Sequence, residues 1–90
     1  MRNVKMKVVN PLGIHARAAA VLVRLAGTFG SDIIIKRTDN QIIADAKSIL
    51  SVLTLAASKG IEVEVEAEGE DEKEAVEAIK EIFTKGFGEI

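Results

Sequence analysis

Ile61-Glu62-Val63-Glu64-Val65-Glu66-Ala67-Glu68 alternates apolar and acidic residues without a break. Successive side chains of a strand point to opposite faces, so the stretch reads as a β-strand with one apolar and one acidic side. The acidic row needs water, and the sheet that holds it is covered on one side only. At the start of the chain Val4, Met6 and Val8 alternate with Lys5 and Lys7 in the same period. Opposite charges facing each other across two strands are worth a few tenths to about 1 kcal/mol, so the first and last strands are expected to pair.

The remaining elements fall between and after these two. Ile33-Ile34-Ile35-Lys36 reads as a second strand, and Asp39-Asn40, flanked by Thr38 and Gln41, as the turn into a third at Ile42-Ile43-Ala44. An alanine-rich run from Ala16 forms the first helix, with Ala18, Leu22, Leu25 and Phe29 on its core stripe. Gly27 and Gly30 are expected to end it in the left-handed conformation. Ser48 opens a second helix that runs through Ser51 and Leu55 to about Lys59-Gly60, where glycine again ends it. Asp71 through Glu74 is an acidic start like a capping box, followed by the stripe Ala75, Val76, Ile79, Ile82 and Phe83. Lys80 and Lys85 suit the negative end of this third helix, Gly86 closes it, and Phe87 folds back on its last turn. The expected architecture is α+β, an open-faced β-sandwich in the order β-α-β-β-α-β-α. Its four-stranded antiparallel sheet carries three helices on one face, and residues 1–90 form one domain.

Composition narrows the function. The net charge of −2 and the absence of Trp and Tyr argue against a nucleic-acid surface, which needs positive charge and stacking platforms. The same lack of aromatics argues against a ferredoxin-like RNA-binding module built on this strand order. With no Cys there is no disulfide, thiol nucleophile or Cys-based zinc site, a usage that suits the cytoplasm. The N-terminus runs straight into a strand pattern, with no apolar segment near the roughly 20 residues of a membrane helix, so a soluble protein is expected.

The chemistry concentrates at Asn10-Pro11-Leu12-Gly13-Ile14-His15-Ala16-Arg17. Asn-Pro followed by Gly13 marks a loop, which places His15, the only histidine, at or next to the N-cap of the first helix. The amides there lack intrahelical partners and, with the helix dipole, accept negative charge. A neutral imidazole at that point is a nucleophile, and Arg17 can hold the anion it captures. No second titratable group is expected near the His. A surface histidine that merely caps a helix, beside a solvated arginine, fits the same residues.

Gly13-Ile14-His15-Ala16-Arg17-Ala18-Ala19-Ala20-Val21-Leu22-Val23 resembles the active-site segment of the HPr family, the histidine-containing phosphocarriers of the bacterial phosphotransferase system. In that family a Gly-x-His-x-Arg-Pro segment opens the first helix and the His is phosphorylated. Gly13, His15 and Arg17 match; Ala18 stands where the family usually has Pro, which implies a slightly looser helix start. The resemblance spans nearly the whole chain. It implies a phosphoryl acceptor at His15 (a pros-phosphohistidine), with Arg17 and the backbone of Ala16, Arg17 and Ala18 binding the phosphate. It implies a carrier without turnover of its own, needing no cofactor and no metal.

The second helix is too apolar for a short surface element. Val52, Leu55 and Ala56 form one stripe and Ile49, Leu50 and Leu53 another, which fits either core filling or a contact patch. The resemblance favours the patch, with Ile49, Leu50 and Leu53 docking partners together with Ala16 and Ala20. Lys47-Ser48-Ile49 is similar to the segment that carries a regulatory phosphoserine in some HPr proteins, although Ser51 replaces the usual Gly. As an N-cap, Ser48 also has a sufficient structural role. The implied partners are enzyme I as phosphoryl donor, enzyme II A components as acceptors and, at Ser48, an HPr kinase/phosphorylase. The implied state is a cytoplasmic monomer. A regulatory HPr-like protein acting by binding alone, nitrogen-type or controlled at Ser48, is the alternative.

Overall fold

The computed structural model describes residues 1–89. The strand read from the acidic alternation is β4 (Glu62–Glu68), and it lies inside the sheet. With β1 (Arg2–Lys7), β2 (Asp32–Arg37) and β3 (Ile43–Asp45) it forms an antiparallel sheet in the order β1-β4-β2-β3. The register sets Lys5 opposite Glu64 and Lys7 opposite Glu62, as the charge pattern demands. The ion pair that closes on this open face, however, is Lys36 with Glu64 from the other side, at 3.6 Å.

The apolar residues of the alternation, Val63, Val65 and Ala67, are buried with Ile33 and Ile35 under the helices. The described residues form three helices, α1 (Ala16–Ala26), α2 (Ile49–Leu53) and α3 (Glu72–Thr84), and a short 3₁₀ turn over Gly86–Gly88. The buried side chains of α3 are Ala75, Val76, Ile79 and Phe83, with Ile82 half-buried at the margin. Phe87 is buried edge-on against Phe83, ring centroids 4.9 Å apart, so the chain end does fold back after Gly86, whose φ is +60°.

Several local expectations are corrected. The buried side of α1 is Ala18, Ala19, Leu22 and Ala26; Leu25 and Phe29 are only half-buried. The helix ends at Gly27 in right-handed geometry, φ −66°, so no left-handed glycine is needed there, and Gly30 is not left-handed either.

The second helix is much shorter than its apolar run. It stops at Leu53, beyond which the Thr54, Leu55 and Ala56 amides donate three residues back, to Ser51, Val52 and Leu53 O, and the following carbonyls are held from outside: Arg37 Nη1 donates to Leu55 O at 3.0 Å and Ala56 O at 3.4 Å. The Ile14 amide donates to Ala57 O at 2.9 Å. Ala56, expected on the core stripe, turns to φ +48° and faces solvent, and Ala57 is buried beside Val52 and Leu55 in its stead. Gly60, at φ +92°, belongs to the turn into β4 and not to a helix end.

Finally, Asp71 is the N-cap residue of α3 but its side chain makes no capping bond. Its carboxylate instead accepts from the Gly30 and Ser31 amides, each at 2.9 Å, and from the Ser31 hydroxyl. The acidic start thus ties α3 to the α1–β2 loop, and only Glu72 serves its own turn, accepting from the Gly69 amide at 3.2 Å.

Candidate functional site

The loop before α1 is a tight turn pinned at both ends. The Gly13 amide donates to Asn10 O at 3.1 Å, and Asn10 Nδ2 donates to Gly13 O at 2.7 Å. Gly13 has φ +69°, and a Cβ on it would lie 2.5 Å from Ala57 O and 2.8 Å from Ser58 Cα. Only glycine allows this approach, which seats the buried Ile14 and leaves the next residue at the helix mouth.

That residue is His15, the N-cap of α1, with extended backbone. Its side chain is 29% exposed and faces the first-turn amides: Nδ1 accepts from the Arg17 N–H at 3.3 Å. The other ring nitrogen, Nε2, lies 2.5 Å from Glu89 Oε2. A carboxylate only accepts, so Nε2 carries the proton and Nδ1 the lone pair; the tautomer follows from the partners of the two nitrogens. Glu89 is in turn held by the fully buried Asn10, whose Nδ2 donates to Oε1 at 2.7 Å. The Glu89 carboxyl is kept below the usual carboxylate range, chiefly by this Asn10 bond and further by the His15 ring and the Arg17 charge.

Glu89 corrects the expectation that no titratable group stands near the histidine. It lies 74 positions away in sequence, and no periodicity links the two. The one hint is the Gly-Phe-Gly run, where Gly86, Phe87 and Gly88 all have positive φ (60°, 57° and 78°) and curl the chain end back towards α1. Asn10 was legible only as a turn residue; its amide, bonded to both Gly13 and Glu89, joins the turn to the chain end.

The other expected residues are distributed as follows. Arg17 and Ala16 are exposed on the first turn, Ala18 is fully buried beneath it, and Ala20 is half-buried one turn on. Among the described residues no ion pair engages the Arg17 guanidinium. α2 packs alongside α1, and its Leu50 is 76% exposed, Ile49 39%, while Leu53 is half-buried against the core. Leu12, three residues before His15, is 72% exposed and adds to the apolar surface; an isolated leucine in a turn carries no periodic signal. Ser48 is the N-cap of α2, its Oγ accepting from the Ser51 amide at 3.3 Å. Among the described residues there is no group of three or more His, Asp or Glu disposed for a metal ion, and no helix is long and apolar enough to cross a membrane.

Comparison with known proteins agrees with this geometry. The family profile described as the PTS HPr component phosphorylation site matches residues 3–85. The phosphocarrier protein HPr of Cupriavidus necator is 45% identical over 82 residues, covering 91% of this chain and 90% of that protein. Its counterpart from Pseudomonas putida is 38% identical over 85 residues, covering 94% and 93%. The crystal structure of HPr-C-His from Thermoanaerobacter tengcongensis superposes with a TM-score of 0.92 at 37% identity, covering 100% of this chain and 99% of that one. A chain with this open-faced sandwich, this sequence likeness and a lone histidine at the mouth of α1 belongs to the HPr family, the phosphocarriers of the phosphotransferase system.

Proposed function

We propose that this phosphocarrier takes its phosphoryl group on His15 Nδ1 from enzyme I and hands it to enzyme II A components for sugar uptake. The observation that carries the reading is the lone pair on Nδ1, held at the N-terminus of α1 with the Arg17 amide 3.3 Å away. An in-line transfer through a loose transition state needs positioning and positive charge more than covalent assistance. The first-turn amides of Ala16, Arg17 and Ala18 and the dipole of an 11-residue helix supply part of that charge. The Arg17 guanidinium, exposed on the same turn, offers its fork of donors to the phosphoryl oxygens.

Partner docking falls to the surface beside His15: Ala16 and Ala20, small enough for close approach, with Ile49, Leu50 and Leu53 on the neighbouring helix. Ser48 stands at the N-cap of that helix. A phosphate there would add about −1.5 to −2 charges at the rim of the docking surface and repel an acidic partner, which makes Ser48 the regulatory position. The protein acts as a cytoplasmic monomer, since each hand-off needs the docking face uncovered.

The test is phosphorylation with phosphoenolpyruvate and enzyme I. Wild-type protein should gain an acid-labile phosphate that His15→Ala cannot carry, and ¹⁵N–³¹P coupling should assign it to Nδ1. Label retained in His15→Ala, or found on Nε2, would contradict the assignment.

A further inference from the structure

We infer that Arg37 is a positioning residue for phosphoryl transfer: braced by Asp39, its guanidinium holds the connection between α2 and β4 against which the His15 turn is packed. The inference depends on the reading of His15 as the acceptor.

Arg37 closes β2 on the covered side of the sheet. It shares a face with the buried Ile33 and Ile35 and stands opposite the buried Val63, and its own side chain is only 16% exposed. Every nitrogen of the guanidinium is engaged. Nε donates to Asp39 Oδ1 at 2.9 Å and Nη2 to Asp39 Oδ2 at 2.7 Å, a fork that fixes the plane of the group. That plane aims Nη1 at Leu55 O, 3.0 Å away, and at Ala56 O, 3.4 Å away.

The next carbonyl along the chain is the one the site uses. Ala57 O accepts from the Ile14 amide at 2.9 Å, and a Cβ on Gly13 would lie 2.5 Å from the same oxygen. His15 follows Ile14 directly. Ala56, between the Arg37 contacts and this oxygen, sits at φ +48°, a left-handed conformation that an L residue keeps only where its surroundings hold it. The Arg37 bonds supply that hold, on the carbonyl before Ala56 and on its own. Without them Ala56 relaxes towards ordinary backbone geometry and carries Ala57 O with it. The Gly13 contact leaves no slack, so the turn and the His15 ring shift too. In-line transfer is sensitive to such a shift, because the attacking atom must be held in place.

The experiment compares Arg37→Ala, Arg37→Lys and Asp39→Asn, each checked by circular dichroism for an intact fold. Hydrogen exchange of the Ile14 amide and the His15 ring resonances report the turn. Single-turnover phosphorylation over a range of enzyme I concentrations separates the saturating rate from KM. Arg37→Ala should speed exchange at Ile14 and shift the ring resonances. Its saturating rate should fall by roughly fivefold to tenfold, less than the loss of about a hundredfold that a 1 Å misplacement brings. KM for enzyme I should change by less than about twofold, as for a contact that acts on the chemical step. Arg37→Lys keeps a donor for the carbonyls but loses the fork, and should recover part of the rate. Asp39→Asn should show the same changes in smaller measure. If Arg37→Ala does not fold, the other two variants decide by the same readings.

An unchanged saturating rate overturns the inference. So does a loss confined to KM, which would place Arg37 behind the docking residues of α2, and so does slowed transfer with Ile14 exchange and ring resonances as in wild type. Phosphate found elsewhere than on His15 in the wild-type protein would instead remove the reading beneath it, whatever the resonances show.

Discussion

Gly13 packs so closely on Ala57 that a Cβ at position 13 would stand 2.5 Å from the Ala57 carbonyl oxygen. Neither neighbour can yield easily, because that carbonyl accepts from the Ile14 amide and Ser58 Cα lies 2.8 Å from the same point. The contact fixes where the turn ends and hence where His15 begins α1. Gly13→Ala combines this overlap with a positive φ and is expected to cost about 2–4 kcal/mol. A urea titration measures it; a midpoint matching wild type would show that the turn can move away from Ala57.

Leu50 should separate docking from stability. At 76% exposure it contributes little to the core, and Leu50→Asp should change unfolding free energy by no more than about 0.5 kcal/mol. Transfer to an enzyme II A acceptor should slow at least several-fold, with the loss appearing in KM. An acceptor assay with normal KM would remove Leu50 from the contact surface.

Ala18 occupies the third position of α1, where the backbone N–H has no intrahelical acceptor. Ala18→Pro restores the usual family residue and lowers the entropy of the unfolded chain, so a gain of about 0.4–1 kcal/mol is expected. Ala18 is fully buried, and the outcome therefore also reports whether the core has space for the ring. Thermal melts decide it, and a lowered Tm would mean overpacking outweighs the entropic gain.

Asp71 ties α3 to the α1–β2 loop, and its carboxyl is held below the ordinary value by the Ser31 hydroxyl first and the Gly30 amide next. A depressed folded-state value means the carboxylate stabilises the fold fully above the unfolded value of about 3.9. That contribution is lost as pH falls from there through the lower folded value. Asp71→Asn should thus melt below wild type at pH 7, with the gap closing below about pH 4. A gap independent of pH between 7 and 3 would show that ionisation of Asp71 is not involved.

Much of the fold was legible because it is written in short periods. The alternation at Ile61–Glu68 implied a sheet with one wet face and a partner strand carrying Lys5 and Lys7, and the register pairs those residues as expected. The Asn-Pro turn and the alanine run placed His15 at a helix mouth, where the structure has it. The misreadings share a cause. The apolar run after Ser48 has helical character, but Arg37, distant in sequence, takes the carbonyls that a longer helix would need. Asp71 has the composition of a cap, yet the amides nearest its carboxylate belong to Gly30 and Ser31 on another element.

Local side-chain periodicity and turn chemistry thus settled, from the sequence alone, the element order, the one-sided sheet and the helix-capping histidine. Tertiary structure decided where α2 stops and that Glu89 faces Nε2 of His15. Contacts between residues far apart in the chain depend on how the elements pack and leave no repeat in the sequence of either partner.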